Sequence, residues 1–80
     1  MLKDKNFTAV RKWVVDNLDQ DQHSIFRKIY DESSEIMTPI SVAQLVLIIA
    51  KYQYQAAFAA SAEINLVACL VEIMMECEFQ

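Results

Sequence analysis

The chain has 80 residues, a net charge of −4 and no glycine, and 55% of it is apolar. That length gives one small domain, which hides about 60–65% of the surface its unfolded form exposes: enough for one core, not for a core plus a deep catalytic cleft. Without glycine there is no phosphate-cradling loop, which excludes a Walker A motif and a dinucleotide fingerprint, and a pI near 4.7 gives no electrostatic footprint for nucleic acid.

The first helix is predicted from the cap Asn6 to about Asn17. Phe7, Val10, Val14 and Leu18 recur at helical spacing with Trp13 beside them, and Thr8, Arg11, Lys12 and Asp16 fill the opposite face. The segment from Asn17 to Asp21 reads as a turn. A second helix follows from near Asp21 to about Glu32, with Ile25, Phe26, Ile29 and Tyr30 as its apolar stripe. Ser33, Ser34 and Glu35 read as a break, after which Ile36 and Met37 close over the core. The basic residues of this half are interleaved with acids, the pattern of a solvated mixed-charge face.

Thr38-Pro39 is the sharpest local signal, because threonine caps a helix and proline at the first helical position loses no hydrogen bond. A third helix is predicted from Pro39 to about Gln55. Ser41, Gln44, Lys51 and Gln55 form its narrow polar strip, and the rest is apolar. The segment Gln55–Ala60 carries good helix formers and no breaker. A turn is placed there because one uninterrupted helix to the end would be improbably long for a small domain. The last helix is predicted from the cap Ser61 towards Glu78, with Asn65, Glu72 and Glu76 on one polar edge. The expectation is a single all-α domain over 1–80, a bundle of four helices.

Beyond Thr38 the only charged residues are Lys51, Glu63, Glu72, Glu76 and Glu78. Two helices that are apolar on most sides need covers on most sides, and the front helices supply only two stripes. The surplus predicts association through helices 39–55 and 61–78. Candidate contacts are Leu45, Ile49, Tyr52, Phe58, Val67, Leu70 and Met74, while Asn6, Thr38 and Ser61 serve as caps. Tyr52 and Tyr54 point to different sides, one to the core and one to a neighbour.

No catalytic constellation emerges. His23 is the single histidine and reads as a surface residue; with two cysteines elsewhere, no zinc spacing exists. Glu72 and Glu76 share a helix face but have no cleft. Met74, Met75 and Cys77 read as core or interface filler. Cys69 and Cys77 lie about 12 Å apart along one helix, too far for a disulfide. The polar start lacks a signal-peptide h-region, and the apolar runs are too short or too interrupted to span a membrane. The expectations are therefore no enzyme, no cofactor, no metal and no membrane, in a reducing cytoplasm.

Three segments carry a resemblance: the opening Leu2-Lys3-Asp4-Lys5; Ile29-Tyr30-Asp31 followed by Thr38-Pro39-Ile40-Ser41; and Tyr52 to Leu66 running on through Ala68–Met74. They resemble, colinearly, the C-terminal end of the sliding-clamp loader large subunit of T-even-like bacteriophages, a relative of the replication factor C small subunit. The resemblance implies a helical collar domain, through which subunits join into a ring-like oligomer while AAA+ ATPase modules elsewhere in the subunit act on the sliding clamp and DNA. It implies self or homologous clamp-loader subunits as partners, and the cytoplasm of a phage-infected host. Met1 falls within the family's length, so the resemblance implies a piece of a longer subunit or of a split gene. Two departures stand out: Ala57 where relatives often carry glycine, and Ser61 where they often carry asparagine or aspartate. The competing expectation is a free-standing adaptor that binds a partner helix in an apolar groove.

Overall fold

The computed structural model describes residues 2–79. Its four helices are α1 (Phe7–Asn17), α2 (Gln22–Ser34), α3 (Pro39–Ala56) and α4 (Ala62–Glu76). Three of their starts are fixed by the side chain that precedes them. Asn6 Oδ1 accepts from the Ala9 amide at 3.0 Å, Asp21 Oδ2 from the Ser24 amide at 3.3 Å, and Ser61 Oγ from the Ile64 amide at 3.2 Å. Each satisfies one of the amides that the first helical turn leaves without an intrahelical partner. Thr38 differs: α3 starts after it with proline in its first turn, but its hydroxyl makes no cap bond and is buried without a partner.

The helices form a bundle in which α3 and α4 pack together, α1 lies on α4 and α2 on α3. Val10 and Val14 from α1, Ile25, Phe26 and Ile29 from α2, Leu45 from α3, and Leu66, Cys69, Leu70 and Ile73 from α4 meet in one buried cluster. Trp13, Leu18 and Tyr30 pack on its edge. Leu2 and Met37 close it from the connecting segments, whereas Ile36 turns outward.

Several polar residues depart from the sequence expectation. Ser33 still belongs to α2 and is buried, and the helix ends at Ser34, within the segment read as a break. Ser41 does not join a polar strip on α3. It is buried, and its Oγ accepts from the Glu78 amide at 2.7 Å while its carbonyl accepts from Cys77 Sγ at 3.7 Å. Asn65 is buried too, its Nδ2 donating to the Tyr52 carbonyl at 3.2 Å across the α3–α4 contact. Asn17 is buried at the end of α1, where its side chain donates to the Trp13 carbonyl and accepts from Gln20 and from Lys28 of α2. For Ser41, Asn65 and Asn17 the buried polar side chain is bonded, as its desolvation requires.

The two ends of the chain meet at the same place. Lys5, the only residue other than glycine with positive φ among those described, sends Nζ to the Met74 carbonyl at 2.6 Å and sits 5.8 Å from the centre of the Phe79 ring. Phe79 pairs with Met37 in an isolated bridge, and the Thr38 amide donates to the Glu78 carbonyl at 3.3 Å. The C-terminal residues thereby strap the α2–α3 junction.

Candidate association surface

The third helix carries apolar residues on two opposite sides. Ser41, Leu45, Ile48 and Ile49 are buried against the bundle, with Val42, Tyr52 and Ala56 packed at the margin of that side. At about 100° per residue, Ile40, Leu47 and Tyr54 fall on the far side, where they are 76%, 72% and 73% exposed. Ala43, Ala50 and Ala57 lie between them and are exposed as well. Val46 and Phe58 extend this side; the Phe58 ring lies 5.4 Å from that of Tyr54. A contiguous apolar face on a small domain is the signature of an interaction surface.

One polar cluster borders the face. Lys51, the only charged residue of α3, places Nζ 2.7 Å from both carboxylate oxygens of Glu72 on α4. Tyr52 Oη donates to the same carboxylate at 2.8 Å. These two donors hold the Glu72 carboxyl below the usual range, despite partial desolvation. Burial, then the bond to Glu72, push the Tyr52 phenol up to about 12. The cluster clamps α3 to α4 and ties the Lys51 ammonium to Glu72. Both cysteines are buried free thiols: burial pushes Cys69 up to about 12, and raises Cys77 as well.

The sequence-derived contact candidates divide. Leu45, Ile49, Leu70 and Met74 are buried in the chain's own core, which removes them from any open face. Tyr52 and Val67 are half-buried at its edge. Phe58 is exposed. Tyr54, rather than Tyr52, is the tyrosine facing outward. His23 is exposed in the first turn of α2, and Met75 is exposed while Met74 is not. The residues that sequence reasoning passed over are Ile40, Ala43, Leu47 and Ala50. Their 3,4 alternation was the available signal, hidden because the inward stripe of the same helix is equally apolar.

A second, smaller apolar area lies between α1 and α4. Phe7, expected in the core, is half exposed there beside Ile64, Val67 and Val71, with Arg11 and Glu63 at the rim. No helix among the described residues is long and apolar enough to cross a membrane. No known family profile matches the chain, and no curated protein matches it. The likeness to a clamp-loader collar therefore rests on the colinear segments quoted above.

Proposed function

We propose that this chain is a non-catalytic helical association module, joining protein subunits through the open face of α3. The observation that carries the reading is that face: large apolar side chains aligned along a whole helix, opposite the side that builds the core. Charge is depleted there, as at the centre of protein interfaces. The setting we propose is the collar of a phage DNA polymerase clamp-loader subunit, an oligomerisation domain that holds AAA+ ATPase modules together while the clamp is loaded onto primer-template DNA. The colinear segments support that setting, and self or homologous subunits are its partners.

Light scattering on a sizing column across a concentration series tests the association. The expected result is a discrete species heavier than the 9.2 kDa chain. A monomer at every concentration, alone and when mixed with clamp-loader subunits, would overturn the reading.

The α1–α4 groove favours a second reading, a free-standing adaptor that receives a partner's amphipathic helix between Phe7 and Ile64. The two readings separate on substitution. Ile64→Asp abolishes partner binding in the adaptor and leaves self-association through α3 intact in the collar.

A further inference from the structure

Resting on the association reading, we infer that the partner seated on α3 is a second copy of the same helix, running antiparallel about a two-fold axis. The spacing identifies the occupant as a helix. Ile40, Ala43, Leu47, Ala50, Tyr54 and Ala57 follow one another at alternating steps of three and four, the repeat that presents a seam to another helix. The seam runs for roughly 25 Å along α3.

The identity of the residues gives the direction. Every first position of the repeat is large (Ile40, Leu47, Tyr54) and every second is alanine (Ala43, Ala50, Ala57). In a parallel pair of identical helices each residue meets its own equivalent. Large then meets large and alanine meets alanine, so the large layers hold the helices apart and the alanine layers are left as voids, which is destabilising. Reversing one copy brings Ile40 opposite Ala57, Ala43 opposite Tyr54 and Leu47 opposite Ala50. Each layer then holds one large and one small side chain, and this is the register that fills all six positions. The surface is complementary to itself, as a two-fold interface must be.

Charge and area agree with this. Lys51, at the border of the face, is engaged by Glu72 of its own chain. With Val46 and Phe58, this side exposes on the order of 900 Å² per copy, and covering about two thirds of it on both copies removes roughly 1,200 Å² from water. That is the lower end for a specific interface, so the pair forms reversibly with concentration. A two-fold pair closes at two copies, so this inference rests on association through α3 and not on the ring of the collar setting.

The experiment mixes two variants that each carry one added cysteine, Ala43→Cys and Tyr54→Cys, and treats them with a short thiol cross-linker. Both positions are exposed on a helix, so folding is retained and is verified by helical content. The buried Cys69 and Cys77 leave the unsubstituted chain as an unreactive control. The expected result is a cross-linked dimer in the mixture, and several-fold less in either variant alone. Efficient linking of Ala43→Cys to itself overturns the antiparallel arrangement while leaving association standing. So does an oligomer that forms but links at neither position. A monomeric mass for the unsubstituted chain at every concentration overturns this inference; the association reading falls with it only if the chain also stays monomeric when mixed with clamp-loader subunits. As a second readout, Leu47→Asp returns the mass to that of one chain with helical content unchanged; an oligomer that persists in that variant counts against the seam.

Discussion

The two sides of α3 have nearly the same composition and opposite fates. Leu45, Ile48 and Ile49 lie inward with Ser41, and Ile40, Leu47 and Tyr54 lie outward with three alanines. Hydrophobicity alone does not distinguish them. What distinguishes them is partnership: the inward side meets α2 and α4, and its polar member is bonded to the C-terminal strap. The outward side has the regular three–four spacing of a surface shaped for another helix. On the association reading, such a helix would belong to two structures at once, its own bundle and an assembly.

The sharpest way to break that symmetry is a matched pair of truncations. Leu45→Ala, on the inward side, is expected to lower the unfolding free energy by about 2–5 kcal/mol, the cost of a core cavity. Leu47→Ala, at a concentration where the chain is monomeric, is expected to change it by no more than about 0.5 kcal/mol. Chemical denaturation of both variants decides this; equal losses would mean that the outward side is also packed within the chain. A smaller effect comes from the helix starts. Ser61→Ala should cost about 1 kcal/mol through its lost cap bond. Thr38→Val should cost nothing or be slightly stabilising, because the Thr38 hydroxyl is buried without a partner. Thermal melts read both, and a loss at Thr38 as large as at Ser61 would show that its hydroxyl is bonded after all.

The smallest effect is the dependence of stability on pH. Glu72 has a lowered pKa in the fold, so its contribution is present above the ordinary carboxylate value and is lost as pH falls below that value. Cys69 is raised to about 12, so its contribution is present below the ordinary thiol value near 9 and is lost as pH rises from there. Stability is expected to be flat between these limits and to fall at both ends. Glu72→Gln should flatten the acid limb, and Cys69→Ala should flatten part of the alkaline one. Denaturation midpoints across pH check each sign, and an unchanged acid limb in Glu72→Gln would remove the Lys51–Glu72–Tyr52 cluster from the explanation.

Much of the architecture was legible because it is local. Asn6, Pro39 and Ser61 mark three helix starts by their own chemistry, whereas the Thr38 hydroxyl does not cap as expected, and Ala57–Ala60 turns without glycine. What was not legible depends on residues distant in the chain. Ser41 and Asn65 look like surface residues until Glu78 and the Tyr52 carbonyl arrive beside them. Phe7 has the right spacing for the core, but it lies at the first turn of α1, where the groove beside α4 stays open. The exposed apolar face was legible in part. The apolar excess of α3 was evident, yet choosing Leu45 rather than Leu47 as the inward leucine requires knowing where α2 and α4 lie.

The junction of Lys5 with Met74 and Phe79 has a mechanical consequence. The Lys5 side chain ties the segment before α1 to the segment after α4 at one pole of the bundle. Tension applied between those two segments would therefore load this junction first and the helix contacts only afterwards.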